Sequence, residues 1–152
     1  VGYYLVAYAL MNLGAFAVII LLNRRFEAGY HYDSLRGMGF AHPVLGATMT
    51  IFLLSLTGIP PTAGFFGKLY VFSAAIQQGY IVLAVIGLLN SAIGAYYYLR
   101  LITLLYMTGP EGDTALAKPG AYQTALVVSS ILVLAIGLFP EQLLNILNLS
   151  LP

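Results

Sequence analysis

The sequence predicts an all-α fold, a polytopic membrane bundle of about four transmembrane helices, one of them discontinuous at Gly58–Gly64. Three observations lead there. Of the 152 residues, 61% are hydrophobic and only 7% charged, with a mean hydropathy of +0.92. A soluble domain carries about 25% charged residues, so this chain cannot clothe a water-facing surface and a soluble enzyme is excluded. The few charges are clustered, leaving long apolar runs between them. One of those runs is interrupted at its middle by adjacent prolines.

The same counts exclude other classes. With a net charge of +1 and no Lys/Arg-rich run, nothing supplies the attraction that nucleic acid requires. The absence of cysteine removes disulfides, thiolate zinc sites, iron–sulfur ligation and thiol nucleophiles together.

Residues 1–22 contain no ionised side chain and form the first span. Arg24, Arg25, Glu27, Asp33 and Arg36 then fall in a stretch of loop composition, residues 23–42. The run 80–107 carries only Arg100 and is another span; Glu111, Asp113 and Lys118 follow in a Gly/Pro-rich loop, 108–120. The run 121–139 is the last span, after which Pro140 and Glu141 open a short amphipathic tail, with Glu141 placed to cap it. Each of these runs fits the ~20 residues that one crossing needs.

Residues 43–77 differ. At 35 residues they are too long for one straight span and too short for two with a loop. Their centre reads Gly58-Ile59-Pro60-Pro61-Thr62-Ala63-Gly64, and two adjacent prolines remove two backbone donors and clash with the preceding turn. The expectation is a half-helix from Pro43 to Thr57, an extended break, and a second half from Phe65 to Gln77. Non-helical backbone at membrane depth needs protein or trapped water around its polar groups, so the break is placed inside the bundle. A single crossing, rather than a re-entrant hairpin, puts Arg24, Arg25, Arg36, Lys118 and the Arg100 end of its helix on one side, which the positive-inside rule makes cytoplasmic.

Lys68 carries the functional reading. It lies nine residues, or ~14 Å of helix, from Gln77, about half the ~30 Å hydrocarbon thickness and too deep to snorkel. An ammonium there is tolerated only with a partner, internal water, or loss of its proton. Desolvation and the positive end of the second half-helix oppose the charge; carbonyls left unpaired near Thr57 and Gly58 favour it. The two effects compete in one site, as a proton-exchanging lysine requires. The structural alternative is a permanently charged Lys68 paired with an acid on a neighbouring helix.

Other polar groups are weaker signals. Asn12, Asn90 and Ser91 lie mid-span, and Thr48, Thr50, Ser55 and Thr57 lie along the first half-helix. Asn12, Thr57, Asn90 and Ser91 form a candidate polar path, with hydrogen bonding between helices as the preferred role. Tyr96-Tyr97-Tyr98 followed by Arg100 resembles an interfacial anchor. His31 and His42 read as solvated loop side chains, and nothing has metal-ligand spacing. Small residues such as Gly14, Ala15, Ala17, Gly87 and Gly94 favour close helix approach. A matching second broken helix is not in the sequence, and the chain starts at Val1 inside an apolar span; both suggest a part of something larger.

The run Leu54-Ser55-Leu56-Thr57-Gly58-Ile59-Pro60-Pro61-Thr62-Ala63-Gly64-Phe65-Phe66-Gly67-Lys68-Leu69-Tyr70 resembles the signature of the antiporter-like membrane subunits of respiratory complex I. The Tyr8–Ala17 and Asn90–Arg100 runs extend the likeness over essentially the whole chain, to the C-terminal part of such a subunit. What the resemblance implies is that residues 43–77 are the discontinuous helix of a second inverted repeat, with Lys68 its central proton carrier and Gly58, Pro60, Pro61 and Gly64 forming the break. It implies a multi-pass protein of the bacterial inner membrane with both loops cytoplasmic, partnered by other membrane subunits and the lipid bilayer. No cofactor is implied in this chain; NADH, FMN, iron–sulfur clusters and quinone belong to other subunits. Enzyme activity, NADH:quinone oxidoreduction coupled to proton translocation, is thus a property of the complex. The first repeat is not in this sequence, so these residues form one half-channel. A subunit of a multisubunit cation/proton antiporter is the rival transport reading.

Overall fold

The computed structural model describes residues 2–23, 35–107, 121–142 and 145. Among the described residues the helices are, in order, α1 (Gly2–Asn23), α2 (Met38–Ala41), α3 (Pro43–Thr57), α4 (Ala63–Gln77), α5 (Ile81–Tyr106) and α6 (Ala121–Leu138). Gly2–Leu21 and Ile81–Tyr106 are long and apolar enough to cross a membrane. α3 and α4, at 15 residues each, are ~22 Å long, so neither crosses alone.

Local chemistry sets the ends of the two half-helices. Pro43 opens α3 at its first turn, where a missing N–H costs nothing because no intrahelical acceptor exists for it. α3 stops at Gly58, which adopts φ 89°, a left-handed conformation that a side chain would oppose. There the Gly58 N–H donates to the Ser55 carbonyl (3.0 Å) and the Ile59 N–H to the Leu54 carbonyl (3.2 Å), the paired closure that consumes two terminal carbonyls. α4 ends the same way: Gly79 has φ 81°, its N–H donates to Ile76 and that of Tyr80 to Ala75.

α3 is the centre of the bundle and packs on every other helix. Its buried Leu45, Met49, Phe52, Leu53 and Leu56 meet Tyr3, Ala7, Met11, Ala15 and Val18 of α1, spaced by three or four residues as one helix face requires. Leu126 and Val133 of α6 close the core. Gly14 lies flat on the Phe52 ring, where any Cβ would collide with it, and a Cβ at Gly87 of α5 would stand 2.7 Å from Phe72 of α4. Small residues thus seat aromatic rings at two helix contacts. α5 lies at the edge, burying Ala84 and Leu105 while exposing Ile81, Val82, Leu83, Val85, Ile86, Leu88, Leu89 and Ile93. Such an aliphatic surface suits lipid or another membrane subunit and would be untenable in water.

The reading of 23–42 as one loop is corrected at its end. Residues 35–42 belong to the bundle: Leu35 and Met38 are buried, and the Gly37 N–H donates to the Leu104 carbonyl at 3.2 Å. Gly39 of α2 sits against Gly46 of α3, a Cβ on the latter falling 2.6 Å from the Gly39 Cα. These two glycines are close-approach positions between α2 and α3. His42 is also corrected: its Nε2 is buried without a hydrogen-bond partner, not solvated. His31 with the rest of 24–34, the 108–120 loop and most of the tail lie outside the described residues.

Candidate functional site

In an α-helix the carbonyl of residue i accepts from the N–H of residue i+4. For Leu56 and Thr57 those residues are Pro60 and Pro61, which have no N–H. The proline pair therefore does more than stop the helix, because it leaves two adjacent carbonyls at the end of α3 without an intrahelical donor. Lys68 fills that place. Its Nζ donates to the Leu56 carbonyl at 2.9 Å and to the Thr57 carbonyl at 3.0 Å. Both acceptors carry the negative end of the α3 dipole, so position and field together favour a cation.

The break is held from several sides. The Pro60–Pro61 peptide bond is cis. Thr62 donates from both its N–H (3.1 Å) and its hydroxyl (2.7 Å) to the Ile59 carbonyl. The Gly64 N–H donates to the Ser55 hydroxyl at 3.1 Å, and the Gly64 Cα is pressed against the Ser55 carbonyl so closely that a Cβ would overlap it. Gly137 of α6 rests on the Pro61–Ala63 backbone with the same intolerance of a Cβ. Across Gly58 runs the lysine stem: a Cβ there would stand 3.1 Å from the Lys68 Cδ. The amine thus reaches its carbonyls over the one residue type that leaves room.

Between α3, α4 and α5 lies a cavity of about 350 Å³. Thr57, Lys68 and Ser91 give its wall polar groups, and Phe65, Phe72 and Leu88 are among its apolar lining. Of the candidate path, Thr57 and Ser91 therefore stand with Lys68. Asn12 and Asn90 do not: Asn12 turns back to the Tyr8 carbonyl of its own helix at 2.8 Å, and Asn90 faces outward.

The preferred role of hydrogen bonding between helices is corrected for Thr48 and Thr57. Thr48 donates to Leu45 (2.9 Å) and Thr57 to Leu53 (2.8 Å), each within α3, the backbonding that serine and threonine adopt when no partner faces them. Thr50 donates to Gly46 at 2.8 Å and also meets the Tyr106 hydroxyl at 3.4 Å; the Ser55 hydroxyl joins α3 to α4. Tyr96 and Tyr97 are exposed, as an interfacial pair would be, whereas Tyr98 packs against the core. The only acid among the described residues is Glu141, which is exposed. Lys68 therefore has carbonyl partners and no carboxylate among the described residues. No cluster of three or more His, Cys, Asp or Glu side chains occurs among them.

Two contacts escaped the sequence reading. One is Ser55 to Gly64, for which no spacing rule exists. The other is the Tyr3 hydroxyl, which donates to the Ile136 carbonyl at 3.2 Å. Pro140 stands four residues after Ile136, so the signal was present in that proline, but not the identity of the donor.

Fold and site together define a polytopic helical membrane protein of the discontinuous-helix class, the architecture in which transporters build ion sites. The chain belongs to the NADH:quinone oxidoreductase/Mrp antiporter transmembrane family, whose model matches residues 1–94. It is 46% identical over 145 residues to NADH-quinone oxidoreductase subunit N 1 of Solibacter usitatus, covering 94% of this chain and 30% of that protein. To the subunit N 1 of Sorangium cellulosum it is 44% identical over 149 residues, covering 96% and 29%. Among solved structures, respiratory complex I from Thermus thermophilus with bound aureothin contains a chain that matches with a TM-score of 0.79 and 34% identity, over 95% of this chain and 33% of that one. The chain spans about 30% of the curated relatives it matches.

Proposed function

We propose that this chain is the C-terminal membrane segment of a proton-translocating subunit N of NADH-quinone oxidoreductase, and that Lys68 is the proton carrier of its half-channel. The observation that supports this best is the amine held on the Leu56 and Thr57 carbonyls. A carboxylate partner would fix the proton; neutral carbonyls stabilise the ammonium without forbidding its loss. The cavity shared with Thr57 and Ser91 gives a proton a polar side from which to arrive. Asn12 and Asn90 have no part in this path.

In this reading residues 1–152 are one unit with spans 1–22, 43–77, 80–107 and 121–139. The segment 23–42, whose last residues 35–42 pack on the bundle, and the loop 108–120 face the cytoplasm because Arg24, Arg25, Arg36 and Lys118 gather there. NADH, FMN, iron–sulfur clusters and quinone are handled by other subunits of the complex, and this chain contributes the proton step alone. The names of the relatives favour this assembly over a multisubunit cation/proton antiporter, and independence of transport from sodium would separate the two.

The test is Lys68→Met in the complete complex, reconstituted in sealed vesicles, with proton pumping and quinone reduction measured together. Pumping falls while the complex still assembles. Unchanged coupled activity would leave Lys68 a structural role only.

A further inference from the structure

We propose that Ser55 is the positioning residue of this site: it caps the second half-helix from the first and so fixes where the Lys68 amine meets the α3 carbonyls. This rests on Lys68 being the proton carrier.

The first amides of any helix lack intrahelical acceptors, and the residue just before the helix ordinarily supplies one from its side chain. In α4 that residue is Thr62, which makes no such bond, because its hydroxyl is committed to the Ile59 carbonyl at 2.7 Å. The acceptor comes instead from Ser55, nine residues upstream on α3, at 3.1 Å from the Gly64 nitrogen. Ser55 is fully buried at 0% exposure, so water cannot replace it.

The register explains why this bond governs the amine. Ser55 directly precedes Leu56, and Gly64 lies one turn before Lys68 on the same face of α4. The two half-helices are therefore joined at two points about one turn apart: Ser55 to Gly64, and the Leu56 and Thr57 carbonyls to Lys68. Releasing the first lets the start of α4 move away from α3 and lengthens the second. The type of cap matters too. A hydroxyl satisfies the amide without charge, whereas an aspartate would place an anion beside the amine and hold its proton.

Few other groups compete for the amine. The cavity lining from α3 and α5 contains no titratable side chain, while α1 brings Tyr3 and Tyr4 to Gly67 and sets the Tyr3 ring edge-on to Tyr70 of α4 at 5.5 Å. The titratable residue of α6 is Tyr122, fifteen residues before Gly137 along the helix.

The experiment compares Ser55→Ala, Ser55→Cys and Lys68→Met in the complete complex in vesicles, following pumping against pH and amide exchange at Gly64. Cysteine keeps the volume but is a weak acceptor, so it serves if the alanine variant does not assemble. The Gly64 amide exchanges faster in both serine variants. With its carbonyls further away the ammonium loses support and gives up its proton at lower pH, so the pH at which pumping halves on the alkaline side drops by about one unit. An unchanged alkaline limb in the serine variants, with Lys68→Met inactive, overturns the role of Ser55 and leaves the carrier intact. Normal pumping by Lys68→Met overturns the carrier, and the role of Ser55 with it.

Discussion

The Tyr3 hydroxyl donates to the Ile136 carbonyl at 3.2 Å, joining the start of α1 to the end of α6 at the carbonyl that Pro140 deprives of a helical donor. The break in α3–α4 uses the same device, a proline four residues downstream exposing an acceptor for a distant side chain. In one place the donor is a phenol, which ties helices together. In the other it is an amine, which can change charge.

Tyr3→Phe removes the donor and leaves the partly buried carbonyl unpaired, at a cost of about 1–3 kcal/mol. Pro140→Ala returns an N–H to Ile136, so Tyr3→Phe should cost less in that background. Unfolding of the detergent-solubilised complete subunit, measured for both single variants and the double variant, gives the coupling energy. Purely additive losses would mean that the proline does not create the need for the phenol.

Lys68→Arg separates charge from exchange. A guanidinium keeps a positive group near the α3 carbonyls but does not release a proton at physiological pH. The complex should assemble about as well as the parent and pump no better than Lys68→Met. Pumping by the arginine variant at the parental rate would be incompatible with a carrier that alternates its charge.

Gly58 and Gly79 both adopt positive φ, so alanine at either costs about 1 kcal/mol in backbone strain. Around Gly79 there is open space, whereas a Cβ at Gly58 meets the Lys68 stem at 3.1 Å. Gly79→Ala should lower stability and spare pumping, while Gly58→Ala lowers both. Thermal stability and pumping of the two variants in the assembled complex provide the comparison.

Much of the framework was legible in the chain. Pro60 and Pro61 located the discontinuity because proline acts through its own missing N–H, whatever surrounds it. Unpaired carbonyls near Thr57 and Gly58 were legible too; the acceptors prove to be Leu56 and Thr57, the two that the prolines dictate by counting four back. The fate of Asn12, Asn90 and the hydroxyls was not legible. In a water-soluble helix an apolar stripe marks the inward face, but a helix bathed in lipid is apolar all round, so nothing in the order of residues says which polar group turns inward.

Sequence alone determined that the chain belongs in a membrane, where the helix of residues 43–77 breaks, and that one amine sits beside the break, since these depend on composition, on backbone donors and on spacing along the chain. Tertiary structure decided that Ser91 shares the cavity while Asn90 faces out, that Ser55 caps α4, that residues 35–42 join the bundle, and that Tyr3 serves α6. Each of these depends on which faces of separate helices meet, and that is set by packing between residues far apart in the chain.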